Sequence, residues 1–262
     1  MSEEKAALYS VEDGVALISH NRPKHMNALS RQLRTDLAAA MDAAESNEDV
    51  HIVILTGEGR AFGAGADLAD LDNTDHDTVT DHILKDHKPI IDRIRLSKKP
   101  YIAAINGATA GISVAYALAC DLIVMSDTGF LYSPFASISL VPDGGTCWFL
   151  MQRLGRQRAY EMIIESGRLS AEECLEIGVA NKVVPAENLR AEAMAWAQSL
   201  VKDRAPLSLR YVKETLNYVE NTAYEAAIRK EAELQQYCIE SRDFREGVES
   251  FMEKRKPVFT GE

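Results

Sequence analysis

The sequence has little of what marks a secreted, membrane-bound or nucleic-acid-binding protein. No run of apolar residues reaches the roughly 18 that a membrane-spanning helix requires. Lysine and arginine number 29 against 40 acidic residues, and the net charge of −11 disfavours nucleic acid and anionic membranes as partners. The first residues, Met-Ser-Glu-Glu-Lys, do not resemble a signal peptide. We therefore expect a cytoplasmic protein that binds neither nucleic acid nor membrane.

Cysteine is also scarce, with four residues in the chain and no C-x-x-C pair. This spacing predicts reduced, structural thiols rather than a disulfide framework. The segment 67–92 is acidic and contains several histidines, but it lacks the H-x-x-x-H spacing of a helical metal site. We expect no metal site, and we interpret this segment as solvated and mobile, leading into a helix and forming a lid or pocket wall.

Short apolar runs alternate with amphipathic segments through the first half of the chain. Ser30 has the sequence context of an N-cap for a helix that ends near Asn47, and Ser170 begins a capping box with Glu173. We predict a helix of small residues over 108–119 and mostly helix after residue 185. Strand–helix alternation of this kind is typical of an α/β fold with buried, mainly parallel sheets. The predicted strands are 15–19, 50–56, 101–105, 121–126, 130–133 and 182–184.

Residues 57–68 form the most unusual stretch, with four glycines and three alanines in twelve positions directly after a predicted strand. Such a backbone brings its N–H groups close to a ligand oxygen and accepts positive φ. One interpretation is a dinucleotide fingerprint, but Gly63 falls one residue too late for G-x-G-x-x-G. A glycine-rich turn without a ligand and a cradle for an anion or oxyanion are the other two interpretations.

Five segments, in this order, resemble the crotonase superfamily, the enoyl-CoA hydratase/isomerase family, and the resemblance covers nearly the whole chain. It implies a ββα spiral core over residues 1–200 and a C-terminal helical region over 201–262 that serves trimerisation, so a homotrimer or hexamer is expected. Residues 142–148 and 241–248 are especially similar to the ring-rearranging isomerases of phenylacetate degradation. The five segments are Arg22–Leu29, Ala61–Leu68, Ile105–Asp121, Leu169–Val184 and Phe251–Phe259.

The resemblance also implies the chemistry. An acyl-CoA thioester, bound as substrate with no separate cofactor, places its carbonyl oxygen between the amide N–H groups of Ala66 and Ile112. Much of the family has a triple-glycine run at the second donor, whereas this sequence has Gly111-Ile112-Ser113, so the side chain of Ile112 must point away from the thioester. The residues expected to contact the CoA ester are Lys24, His25, Met26, Ala28, Ala64, Ala66, Asp67, Leu68, Gly111, Phe135 and Lys254.

Hydratases of this family use two glutamates, and by motif alignment Ala115 and Phe135 occupy those positions here. Asp143 is the remaining candidate acid/base. Taken alone, its Pro-Asp-Gly-Gly context is typical of a turn. By the resemblance, however, Asp143 stands where several enoyl-CoA isomerases have their single catalytic acid. Apolar neighbours in the sequence predict a raised pKa for its carboxyl group.

The resulting hypothesis is an enoyl-CoA isomerase in which Asp143 moves a proton from C2 to C4. Three alternatives stay open. In the first, Asp143 acts as the nucleophile of a thioester hydrolase or dehalogenase. In the second, the protein is a hydratase. In the third, it binds acyl-CoA without catalysis.

Overall fold

The computed structural model describes residues 5–73 and 78–258, and this part of the chain contains ten strands and ten α-helices. The strands are β1 Ala7–Glu12, β2 Val15–His20, β3 Ile52–Gly57, β4 Ala61–Gly63, β5 Tyr101–Ile105, β6 Ala108–Ala110, β7 Leu122–Ser126, β8 Phe130–Tyr132, β9 Arg168–Ser170 and β10 Lys182–Val184. The helices are α1 Arg31–Ser46, α2 Val79–His82, α3 Lys88–Leu96, α4 Ser113–Leu118, α5 Thr146–Leu154, α6 Arg156–Ile164, α7 Ala171–Glu176, α8 Leu189–Asp203, α9 Pro206–Glu240 and α10 Arg242–Glu253. None of the described helices combines the length and apolar character of a membrane span.

The strands form two sheets, and the chain alternates between them. The larger has the order β1-β2-β3-β5-β7-β10 and is parallel except for the β1–β2 hairpin. The smaller has the order β4-β6-β8-β9. Three successive turns of the chain each place one strand in the larger sheet and the next in the smaller, as β3–β4, β5–β6 and β7–β8. The ends of β4 and β6 are therefore neighbours, although the paired residues Gly63 and Thr109 are 46 positions apart in sequence.

Alternating burial explains why the central strands read as continuous apolar runs. In β3, Ile52 and Ile54 face a cluster completed by α8, whereas Val53 and Leu55 face the opposite cluster, which includes α1 and α3. Both faces of the strand are covered, so both sets of alternate residues are apolar. The α/β class predicted from the sequence is confirmed.

Several local predictions hold, and one is wrong in part. Ser30 caps α1, and Ser170 and Glu173 form the complete capping box of α7. The helix predicted over 108–119 begins only at Ser113, because residues 108–110 pair with β4 and β8 as β6. Strands β1, β4, β6 and β9 have no predicted counterpart. β4, β6 and β9 are each three residues long and depend on their sheet neighbours rather than on a sequence pattern.

The helix predicted to follow the acidic stretch is present, but two histidines of segment 67–92 are buried rather than solvated. A π-helical turn, Ile83–His87, joins α2 to α3 and turns His82 and His87 inward, where they are 5% and 1% exposed. His87 Nδ1 lies 3.2 Å from the hydroxyl of Tyr116, and His82 Nδ1 lies 2.7 Å from Asp86. The predicted surface residues Asp75, His76 and Asp77 lie outside the described residues. In the described part, no three His, Cys, Asp or Glu side chains are grouped as metal ligands.

Helix α9 is attached to the core by a buried lysine. The ammonium group of Lys213 donates to the carbonyl oxygens of Ile94 and Lys99 at 2.7 and 3.1 Å. It also donates to Asp121 Oδ2 at 2.7 Å, and this oxygen accepts the backbone N–H of Tyr101 as well. One side chain therefore holds the helix against the end of α3 and the starts of β5 and β7.

We predict that Lys213→Met destabilises the protein strongly, because it leaves Asp121 and two carbonyl groups without their cation. The expected loss is about 3 kcal/mol in the free energy of unfolding, measured by urea denaturation. Lys202→Met, on the exposed end of α8, is the control and is expected to change the value by less than about 0.5 kcal/mol. Equal effects of the two substitutions would contradict the role of Lys213.

Candidate active site

Two glycines bring the ends of β4 and β6 into contact. A Cβ atom on Gly111 would lie 3.4 Å from the Cα of Gly65, and a Cβ on Gly65 would lie 3.5 Å from the Cα of Gly111. Both have positive φ, 97° for Gly65 and 56° for Gly111. Because side chains rarely adopt this backbone conformation, a side chain at either position would be strained.

The backbone on either side of this contact is fixed by hydrogen bonds. Gly65 donates its N–H to Ser113 Oγ at 3.1 Å, and its carbonyl oxygen accepts from Leu29 at 2.8 Å. Gly111 donates its N–H to the carbonyl oxygen of Tyr132. The next amides along each segment, those of Ala66 and Ile112, donate to no acceptor within residues 5–73 and 78–258. Two rigid segments thus present two uncommitted N–H donors, which is what an oxyanion requires.

The side chain of Ile112 packs against the loop that contains Asp143. A Cβ on Gly144 would lie 2.6 and 2.7 Å from Ile112 Cγ1 and Cδ1, and 3.2 Å from Ile91 Cδ1. Ile112 therefore fills the space that a side chain at residue 144 would need. Gly144 and Gly145 have φ of 62° and 84°, so the turn that the sequence predicts here is present. The turn and the second N–H donor are in direct contact.

Asp143 is buried in this turn, with 9% of its surface exposed. Its Oδ2 accepts a hydrogen bond of 3.2 Å from Gln235 Nε2, whereas Oδ1 is buried and has no hydrogen-bond partner in the described part of the chain. Phe135 and Trp148, two apolar residues near Asp143 in the sequence, are both buried. Burial raises the pKa of the Asp143 carboxyl from 3.8 to about 7, while the Gln235 hydrogen bond and the residue's own backbone amide act in the opposite direction.

A second buried carboxyl group lies next to the turn. Glu231, on α9, accepts the N–H of Gly145 through Oε2 at 2.6 Å and the N–H of Cys147 through Oε1 at 2.9 Å. Burial raises the pKa of Glu231 to about 8, and the charge of Asp143 raises it further. The two carboxyl groups are therefore coupled. Asp143 is the one with an oxygen available to a ligand, because both oxygens of Glu231 are occupied.

Sequence reasoning did not identify Glu231, Gln235 or Ser113. Glu231 and Gln235 are four residues apart and so share one face of α9. Their partners in the turn are 84–94 residues away in sequence. No local pattern connects such distant positions. Ser113 had a weak signal, since it follows the glycine-containing segment, but only the fold brings its hydroxyl to Gly65.

The predicted first CoA loop lies beside the glycine-rich loop. Arg22 joins the two, because its Nη1 donates to Asp67 Oδ2 at 2.7 Å and to the carbonyl oxygen of Ala28 at 2.6 Å. Met26 Sδ accepts from Arg60 Nε at 2.8 Å. The other predicted contact residues of these loops that are exposed are Lys24, His25, Ala64 and Leu68.

The other predicted contact residues lie at different distances from the Gly65 and Gly111 segments. Phe135 packs beside the glycine contact, with its Cζ 4.0 Å from the position of a Cβ on Gly111. Lys254 is exposed at the end of α10, and in the described residues it makes no hydrogen bond or ion pair to either glycine segment. Phe259 lies outside the described residues. Ala115 is buried within α4, so neither position that holds a glutamate in hydratases by the resemblance supplies an ionisable group.

The raised pKa of Asp143 predicts a pH-dependent stability difference between the wild type and Asp143→Asn. Between about pH 4 and 7 the folded state binds this proton more tightly than the unfolded state, so stability falls as pH rises through that range. Asparagine has no such ionisation. We expect equal free energies of unfolding at pH 4 and a variant that is more stable by about 2–4 kcal/mol at pH 8.

Urea denaturation at the two pH values measures this difference. Asp203→Asn, at the exposed C-terminal end of α8, is the matched control and should show no such pH-dependent change. A difference for Asp143→Asn that is independent of pH would contradict the raised pKa.

Comparison with known proteins supplies the family. The model of the enoyl-CoA hydratase/isomerase family matches residues 10–262. A probable enoyl-CoA hydratase of Rhodobacter capsulatus is 33% identical over 97% of both chains, and the 1,2-epoxyphenylacetyl-CoA isomerase of Escherichia coli is 31% identical over 97% of this chain and 98% of its own. The crystal structure of an enoyl-CoA hydratase from Mycobacterium avium subsp. paratuberculosis has a TM-score of 0.87, with 30% identity over 97% of this chain and 98% of its own.

These matches confirm the crotonase fold expected from the sequence. The chain belongs to the enoyl-CoA hydratase/isomerase family.

Proposed function

We propose that the protein is an enoyl-CoA isomerase with Asp143 as its only acid/base. The carboxylate takes a proton from C2 of a 3-enoyl thioester through Oδ1. The resulting negative charge is delocalised onto the thioester oxygen, which accepts hydrogen bonds from the Ala66 and Ile112 amides. The same carboxyl group returns the proton to C4, and the double bond moves to C2–C3. The observation that carries this proposal is the buried, unpartnered Oδ1 on the turn that packs against Ile112.

Hydration needs a second group to activate or hold a water molecule. Ala115 and Phe135 have no ionisable side chain, and Glu231 uses both oxygens to bind the amides of the turn. An isomerase, in contrast, requires a single group whose pKa lies near the working pH. The pKa of Asp143, about 7, suits a carboxyl group that both removes and returns a proton.

We also propose where the CoA moiety lies. The exposed loop residues Lys24 and His25 would face its phosphates, while the ion pair between Arg22 and Asp67 keeps this loop in register with Ala66. Phe135 would border the acyl group beside Gly111. Lys254, on the exposed end of α10, would reach the CoA of a neighbouring subunit.

That last contact requires an oligomer, and we propose the homotrimer, or a hexamer of two trimers. Support comes from the apolar side chains that α9 and α10 leave exposed. Tyr218 is 83% exposed. Together with its exposed neighbours it forms a large apolar surface for a single chain to leave in water. The other exposed apolar residues of the two helices include Leu207, Tyr211, Val212, Leu216, Val219, Tyr237, Phe251 and Met252.

The isomerase proposal predicts that Asp143→Asn lowers the conversion of a 3-enoyl-CoA into the conjugated 2-enoyl-CoA at least 100-fold. The assay is the absorbance of the conjugated thioester. In the wild type, kcat/KM should rise with pH through about 7, since the base must be deprotonated. Asp203→Asn should behave as the wild type. Retained turnover in Asp143→Asn would overturn the proposal.

Each alternative function predicts a different result, and each result has its own assay. Rapid addition of water to a 2-enoyl-CoA by the wild type would identify a hydratase, the activity named for several relatives. A covalent acyl- or aryl-aspartate at residue 143 would identify a hydrolase or dehalogenase. Binding of CoA esters without exchange of the C2 proton in heavy water would identify a non-catalytic protein.

A second prediction concerns the contact between Ile112 and the turn. Gly144→Ala places a methyl group 2.6 Å from Ile112 Cγ1, so Ile112 and its amide must move. We expect kcat/KM for the isomerisation to fall at least 10-fold, because a shifted donor stabilises the oxyanion less. Gly178→Ala is the matched control, since Gly178 has a similar φ of 74° but open space around its Cβ position. Equal activity of the two variants would contradict the coupling.

A further inference from the structure

Gln235 contacts the proposed acid/base directly and is itself 2% exposed. Its Nε2 donates to Asp143 Oδ2 at 3.2 Å, and its Oε1 accepts the backbone N–H of Val141 at 3.2 Å. A single amide group on α9 therefore binds the turn at two points, two residues apart. We propose that Gln235 is a positioning residue that decides which oxygen of Asp143 carries the proton during the reaction. This inference rests on the proposed function of Asp143.

The orientation of the Gln235 amide is determined by Val141. A backbone N–H is always a donor, so the atom facing it must be the carbonyl oxygen of the glutamine. The NH2 group then faces Asp143 and can only donate. In the neutral acid the carbonyl oxygen is a stronger acceptor than the hydroxyl oxygen, so this hydrogen bond favours Oδ2 as the carbonyl oxygen. The proton of the neutral carboxylic acid is then favoured on Oδ1.

Oδ1 is also the oxygen that has no partner in the described part of the chain. Gln235 thus favours the proton on Oδ1, which is also the available oxygen. In addition, the carboxyl group cannot rotate without breaking the Gln235 bond. A base that removes a proton from C2 and returns it to C4 benefits from this arrangement, since one oxygen must serve both carbons in turn.

The charge of Asp143 raises the pKa of three other titratable groups around it. They are Glu231 on α9, Cys147 on α5 and Tyr116 on α4. Burial raises the pKa of the Cys147 thiol and of the Tyr116 hydroxyl, so both are neutral at neutral pH. Glu231 carries the remaining negative charge when ionised. The negative charge of Glu231 disfavours the ionised form of Asp143, whereas the Gln235 N–H group favours it.

The test compares Gln235→Leu, Gln235→Glu and the wild type. Leucine removes the donor, so the pKa of Asp143 should rise by about one unit or more. The acidic limb of the kcat/KM profile should move to higher pH by the same amount, with activity about 10-fold lower at pH 6 and close to wild type at pH 9. Glutamate adds a carboxylate facing Oδ2, and we expect a larger shift in the same direction.

Gln236→Leu is the matched control, one residue along the same helix. Gln236 accepts the N–H of Val79 rather than binding the turn, so its substitution should leave the acidic limb in place. Thermal unfolding of all variants shows whether they are folded. An acidic limb that does not move in Gln235→Leu, with the same loss of activity at every pH, would overturn the proposal.

A titration that needs no turnover separates this inference from the proposed function. The carbon-13 carboxyl signal of Asp143, assigned by its absence in Asp143→Asn, reports the pKa directly in the wild type and in Gln235→Leu. A raised pKa in the variant supports the role of Gln235 even if the wild type fails to isomerise a 3-enoyl-CoA. An unchanged pKa overturns that role even if the isomerase activity is found.

Discussion

The close approach of two bare backbone segments is the constraint on which the site depends. Gly65 and Gly111 lie in adjacent turns of the spiral and in contact with each other, and both have a positive φ at which a side chain would be strained. The pairing of β4 with β6 sets this distance, and Ser113 and Tyr132 hold the flanking amides. The amide N–H groups of Ala66 and Ile112 therefore project from backbone that is already fixed by hydrogen bonds. A negative charge developing on a bound oxygen would be stabilised there without rearrangement of the protein.

The turn that contains Asp143 is attached to this frame from two sides. Ile112 packs against Gly144 on one side, and α9 supplies Glu231 and Gln235 on the other. The departure from a triple-glycine run therefore has a structural consequence, because the isoleucine side chain joins the second N–H donor to the turn. An apolar enclosure raises the carboxyl pKa, while one glutamine amide opposes that effect, and the balance lies near neutral pH.

The C-terminal helix α9 contributes to the stability and to the chemistry of the site. Lys213 fixes its first half to the core through Asp121 and two carbonyl groups. The second half provides the two side chains that hold the turn. The expectation from sequence was that this region serves assembly. In addition, the structure places its side chains around the Asp143 carboxyl group.

The sequence by itself determined the elements whose cause is local. Continuous apolar runs predicted the central strands. Ser30 and Ser170 predicted helix starts, because the hydroxyl group of each caps its own helix. The high glycine and alanine content marked residues 57–68 as a backbone with few side-chain atoms. Only the tertiary structure decided the rest. Strand β6 and the burial of His87 depend on neighbours distant in the chain. The partners of Asp143 are further examples, because hydrogen bonds between residues some ninety positions apart leave no periodic signal in the sequence.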